Sequence, residues 1–227
     1  MGISRSIGCR RLAVAATILA LAALSSPQVH AAVYVYDYDD GTLQGWTEGK
    51  PPWNPQFLGS LRALEPGNPG HAMVATDHGA TGGALLAQAP AVISGDLSSW
   101  PSVSWDEWLP DGSIIRTSVS VLGPDGTVYQ GETPDQGVIS TESWQERFIP
   151  FDFGSGLWSI RDGTGSASFD EVITNVVGFY IHMDVTPGQS TEASVDNVIF
   201  LPEPATVSLL ALGGLVALRR RRGCRGS

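Results

Sequence analysis

Between Val33 and Leu201 the chain never sustains the spacing of an amphipathic helix. Apolar and polar side chains instead alternate over short runs, each broken by a cluster of Gly, Pro, Asp or Ser. A period of two sends successive side chains to opposite faces of a strand, so this punctuated pattern predicts an all-β, antiparallel sandwich of jelly-roll type. The runs cover residues 33–38, 72–76, 84–87, 103–108, 114–122, 127–130, 144–151, 176–183 and 193–201, about nine or ten strands in one domain. Residues 114–122 and 127–130 face each other across Gly123-Pro124-Asp125-Gly126, a hairpin signal. In the first of these, Ile115, Val119 and Val121 alternate with Arg116, Ser118 and Ser120, which predicts one buried face. In residues 176–183, Val177, Phe179, Ile181 and Met183 oppose Gly178, Tyr180 and His182. Residues 152–168, rich in glycine and serine, read as a long loop.

The two ends carry a different pattern. Arg5, Arg10 and Arg11 precede an apolar run over residues 12–24, and Val29-His30-Ala31 puts small residues at the cleavage positions. That is the arrangement of a secretory signal peptide over residues 1–31, cut after Ala31. At the other end, residues 201–227 place Pro202, Glu203 and Pro204 before 14 uncharged residues and then Arg219, Arg220, Arg221 and Arg222. The prolines keep the motif extended. The apolar run spans ~21 Å as a helix, short of the ~30 Å hydrocarbon core, and the arginines belong on the cytoplasmic side. Such a span suits a temporary stop. The order Pro-Glu-Pro, apolar run, arginine cluster resembles the PEP-CTERM sorting signal handled by exosortases in Gram-negative bacteria. The resemblance implies a processing protease as partner, transient anchoring in the inner membrane, cutting near Pro202-Glu203-Pro204, and delivery to the cell surface or the extracellular matrix. Proteins with this tag accompany exopolysaccharide and biofilm, so a structural or adhesive matrix role is what it implies.

Removing both ends changes the composition. Cys9 and Cys224 are lost, leaving no thiol and no disulfide. The domain of residues 32–200 keeps five basic side chains (Lys50, Arg62, Arg116, Arg147, Arg161) against 22 acidic ones, a formal charge of −17 where the whole chain has −10. Nothing there neutralises phosphates, which excludes nucleic acid as a partner.

Tyr38-Asp39-Asp40-Gly41-Thr42-Leu43-Gln44-Gly45-Trp46, Ile93-Ser94-Gly95-Asp96-Leu97-Ser98 and Ser194-Val195-Asp196-Asn197-Val198-Ile199-Phe200 together resemble the laminin IV (laminin B) domain and the jelly-roll carbohydrate-binding modules. The resemblance implies two packed antiparallel sheets with first and last strands adjacent. It also implies a structural calcium, held by Asp39 after the first strand and Asp196 in the last. Read on their own, Asp39 and Asp40 are equally turn formers and Asp196 a strand-end cap.

Seven tryptophans remain to be placed. Trp46 and Trp144 begin strands and read as core. Trp53, Trp100, Trp105, Trp108 and Trp158 lie in or beside loops, where indoles either pack or form a sugar-stacking surface for a polysaccharide. Trp105 and Trp108 are three apart and point to opposite faces of a continuous strand. The adjacent acids Asp106-Glu107 and Asp170-Glu171 cannot flank one glycosidic bond for the same reason. No nucleophile elbow, HExxH or phosphate-binding loop occurs. Three functions stand in order: a matrix protein, a carbohydrate-binding module, and last a polysaccharide-degrading enzyme.

Overall fold

A computed structural model describes residues 33–53, 59–78, 85–111, 113, 115–133, 143–161, 163–183 and 192–201. Both ends read as targeting segments, with Ala31, Pro202, Glu203, Pro204 and the four arginines, lie outside the described residues. Within them the alternating runs become β1 (Tyr34–Tyr36), β2 (Thr47–Glu48), β3 (Gly59–Leu64), β4 (Ala72–Asp77), β5 (Leu86–Gln88), β6 (Ser102–Trp108), β7 (Ser118–Leu122), β8 (Val128–Gly131), β9 (Gln145–Pro150), β10 (Trp158–Arg161), β11 (Gly178–His182) and β12 (Glu192–Leu201). One α-helix, α1 (Phe169–Ile173), and two single-turn 3-10 helices (Ala91–Ile93 and Phe153–Ser155) interrupt them.

The strands form two sheets, antiparallel throughout. The first runs β3-β4-β12-β6-β9, with β1 also on β12; the second runs β10-β8-β7-β11-β5-β2. First and last strands are neighbours, as the resemblance implies. β12 pairs with β4 through residues 192–195 and with β1 through 198–200. The change comes at a register shift between Asp196 and Ile199, where Asn197 takes φ +48°. A bulge with an asparagine in the left-handed region is a low-cost way to bend a long strand.

Alternation explains the core. Val103 and Trp105 of β6, Met73 and Ala75 of β4, Ile149 of β9 and Val195, Val198 and Phe200 of β12 face Val119 and Val121 of β7 and Phe179 and Ile181 of β11. At one end of this layer the same inward parity brings in charge. Glu107 Oε1 accepts from Arg116 Nη1 at 2.6 Å and Arg147 Nε at 2.5 Å, while Oε2 accepts from the backbone N and the hydroxyl of Thr117.

Three expectations need correction. Residues 152–168 are not a plain loop, because they contain β10, whose ladder with β8 closes an edge of the second sheet. The helix α1 is too short for a periodic signal and is fixed by a capping box, Ser168 and Glu171 bonding reciprocally. And β7 is buried on both faces: Ser118 and Ser120 are as enclosed as Val119 and Val121, while Ile115 is exposed.

Candidate functional site

The outer face of the second sheet is built by register. One row across it reads Gln88, Tyr180, Ser120, Gln130, Ser159; the next Leu86, His182, Ser118; the third Gly178, Leu122, Val128, Arg161. Part of this face is apolar. Leu86, Leu122, Val128 and Tyr180 cluster, and Trp53 meets the Tyr180 ring edge-on at 5.3 Å. Glycine is needed at 178 for the same reason: a Cβ there would come within 2.7 Å of the Tyr180 hydroxyl oxygen.

Beside it runs a polar network. Arg161 donates to Gln130 Oε1, and Gln130 Nε2 donates to Ser118 Oγ (3.0 Å) and Glu132 Oε1 (2.9 Å). Arg161 Nη1 also stands 3.3 Å from His182 Nδ1, and His182 Nε2 is 2.7 Å from Ser120 Oγ. A guanidinium only donates, so Nδ1 must accept and Nε2 must carry the proton it donates to Ser120. Burial, with the Arg161 charge adding, pushes the His182 imidazole down to about 3. The Ser120–His182 pair is therefore not a nucleophile and base, because the nitrogen facing the serine already holds its proton. Gln88, Gln130, Arg161 and Trp53 are half-buried and Glu132 and Ser159 exposed, so the network ends in groups that reach solvent.

The five candidate tryptophans are not brought together. Trp105 is 1% exposed in the core, its Nε1 donating to Thr117 Oγ1, because β6 alternation turns it inward with Val103. Trp158 is also core: it belongs to β10, packs on Phe151 and Phe169, and donates to the Pro150 carbonyl. Neither can present a face to a sugar. Trp100 stacks on Tyr34 at 5.4 Å and meets Phe200 edge-on. Trp108 is half-buried on the outer face of the other sheet, away from Trp53. Trp46 is core, whereas Trp144, read as core, is half-buried in a groove.

Asp39 and Asp196 meet around the loop between β3 and β4. Asp196 Oδ2 accepts from Asn68 N at 2.5 Å and Oδ1 from Asn197 N at 2.7 Å. Asp106 Oδ2 accepts from the side-chain amides of Asn68 and Asn197. A Cβ on Gly70 would collide with Asp39 Oδ1. Burial pushes the Asp196 carboxyl up to about 6, with Asp106 and Asp39 adding to the rise against two backbone hydrogen bonds. The charge is that of a hard-oxygen site, but amide donors engage both Asp196 oxygens, and among the described residues no three carboxylate, histidine or cysteine groups converge to hold a metal.

The adjacent acids have other roles. Asp106 and Glu107 go to opposite faces, Glu107 into the buried ion pair, and Glu171 caps α1.

No family model matches this sequence, and no curated protein does. Solved structures match at the level of fold. The family 11 carbohydrate-binding module from Clostridium thermocellum, in complex with a β-1,3-1,4-mixed-linked tetrasaccharide, superimposes with a TM-score of 0.50 at 19% identity, over 75% of this chain and 95% of that one. An exo-β-agarase superimposes with a TM-score of 0.51 at 10% identity, over 77% of this chain but 25% of the agarase. The shared feature is the antiparallel two-sheet β-sandwich.

Proposed function

We propose that this chain is an exported, non-enzymatic polysaccharide-binding protein that receives a glycan along the outer face of its second sheet. Trp53, Gln88, Gln130 and Arg161 make the contacts, and Tyr180, His182, Ser118 and Ser120 hold them in place. The observation that carries the reading is the continuous run of donors and acceptors from His182 through Arg161 and Gln130 to Glu132, beside an aromatic pair on the same face. Saccharide sites need that combination, apolar area for the ring and preplaced polar groups for the hydroxyls. The sandwich shared with a module solved on a mixed-linked tetrasaccharide supports it.

Affinity electrophoresis of the full-length protein through gels containing mixed-linked β-glucan or agarose tests the proposal. Retardation is expected in at least one gel. Arg161→Ala or Trp53→Ala should weaken it about tenfold, the loss of one well-placed contact. Equal mobility with and without both polysaccharides would refute it.

Delivery rests on the sequence of the two ends. We propose export past a leader cut after Ala31, a pause in the inner membrane, and release by an exosortase-type protease near Pro202-Glu203-Pro204 to the cell surface or matrix. A glycan-binding domain released there would serve as a matrix component, which joins the adhesive role to the binding role. The protein recovered from its host should have a carboxy-terminal mass lacking Arg219 to Arg222. Full-length protein stably held in the membrane would end this part of the proposal.

Calcium at Asp39 and Asp196 is a proposal on charge alone. An ion bound to the native state raises stability by mass action, about 2.7 kcal/mol at a hundredfold excess over its dissociation constant. The melting temperature should then rise by several degrees in calcium and fall back with chelator; a midpoint that ignores both rules the ion out.

A further inference from the structure

The opposite side of the sandwich carries a second groove, unrelated to the face assigned above. Trp108 ends β6 on the outer face of the first sheet, cross-strand from Ser194, which in turn is opposite Val74. Glu107 and Gln145 are the last pair of the β6–β9 ladder, so Trp144, one residue earlier, stands on the same face across from Trp108. Leu64, Glu65, Pro66 and Glu192 complete a groove of about 210 Å³.

Its chemistry differs from that of the first site. The polar side-chain groups lining it are two carboxylates, which only accept, one serine hydroxyl, and the N–H groups of the two indoles, which only donate. Glu65 and Glu192 are exposed, and Glu192 keeps one oxygen on Thr76 Oγ1 at 3.0 Å. Among the described residues no cation lines the groove; Arg62, cross-strand from Val74, stands beside it. Indole faces attract cations as well as apolar rings, and flanking carboxylates add to that attraction. A neutral sugar can donate hydroxyls to these carboxylates but brings no positive charge to offset theirs or to lie against the indoles. A protonated amine on a pyranose satisfies both features at once. The volume is below that of a drug-sized pocket, enough for one ring of a longer chain. The charge of −17 on the domain would draw such a polymer in.

We propose that the Trp108–Trp144 groove is a subsite for an amine-bearing sugar unit, a 2-amino-2-deoxyhexose whose nitrogen is unacetylated and protonated, within a polysaccharide. Glu65 and Glu192 receive the ammonium, and the two indoles receive the ring.

Titration calorimetry and tryptophan fluorescence on the full-length protein, with a glucosamine tetramer and its fully N-acetylated counterpart, test this. The free amine should bind at least about tenfold tighter than the acetylated form and weaken in about 0.5 M salt, where exposed charge pairs are screened. The pair Glu65→Gln and Glu192→Gln should lose about tenfold in affinity with an unchanged melting curve, since both are surface positions. Trp144→Ala should remove the fluorescence change. Arg161→Ala, on the other face, should leave amine binding intact. Equal affinity for both tetramers, or insensitivity to the glutamine pair, overturns the proposal, as does loss of amine binding in Arg161→Ala. If mixed-linked glucan and agarose fail to bind while the glucosamine tetramer still binds through Trp144, the first site falls and this one stands.

Discussion

Glu107→Ala is expected to lower the unfolding free energy by about 3–5 kcal/mol, because it removes a buried carboxylate that two buried guanidinium groups share. The carboxylate has Arg116 at 2.6 Å and Arg147 at 2.5 Å on one oxygen, with relative side-chain exposures of 2%, 7% and, for Glu107 itself, 1%. Its second oxygen holds the backbone and hydroxyl of Thr117, the residue that leads into β7. That hydroxyl in turn accepts from the Trp105 indole, so the deletion also loosens the largest core side chain of β6. Domains of this kind hold about 5–15 kcal/mol in total, and each kcal/mol is worth about 2–4 °C at this length. The midpoint should therefore drop by about 6–20 °C. Glu107→Gln keeps the shape and one acceptor but turns an amide donor toward another donor, so it should recover less than half of the loss. Urea unfolding measures both, and a cost below about 1 kcal/mol for the alanine variant would mean that the arginines find water when the carboxylate is gone.

The part of this arrangement that sequence reading reaches, and the part it does not, follow from range. Alternation is local, so the inward sides of β7 and β11 were legible from Val119 and Val121 and from Phe179 and Ile181. The same rule reads Ser118, Ser120 and His182 as facing water, yet they are buried with partners across strands, Ser120 on His182 and Ser118 on Gln130. Ser120 and His182 are 62 positions apart, and only the pairing of β7 with β11 makes them neighbours. Candidate tryptophans chosen by lying near loops fared according to which loops were truly loops. Trp53 does meet the proposed glycan face; Trp158 does not, since its segment pairs with β8. A polar residue at every second place in an otherwise apolar strand, as at 116, 118 and 120, was the available signal for a face that is buried and polar at once. Asp39 and Asp196 meet because first and last strands pair, a long-range fact that only the family resemblance supplied.

That buried polar face makes the second large prediction one of pH. His182 titrates at about 3 in the native state against 6.5 when unfolded, lowered by burial and then by Arg161. Above 6.5 both states are neutral at this ring and it contributes nothing to the slope. Between 6.5 and 3 the unfolded chain takes up a proton that the native state refuses, so stability falls as pH falls through that window. At pH 4.5 the loss from this group is about 2–3 kcal/mol, at 1.36 kcal/mol per pH unit. Forcing the proton on would set an N–H of His182 against the Arg161 guanidinium 3.3 Å away, so the network would open where the glycan is proposed to lie. His182→Gln isolates the effect. A carboxamide can still accept from Arg161 and donate to Ser120, yet it has no proton to gain. The variant should match the wild type near pH 7 and exceed it by about 2–3 kcal/mol at pH 4.5, with other carboxylates cancelling in the difference. Polysaccharide retardation should hold through that window and weaken, for the wild type alone, only as the pH nears about 3 and the native ring takes its proton. Parallel stability curves from pH 7 to pH 4 would show instead that His182 is solvated enough to hold its charge, and that the Arg161–Gln130 contact stands without it.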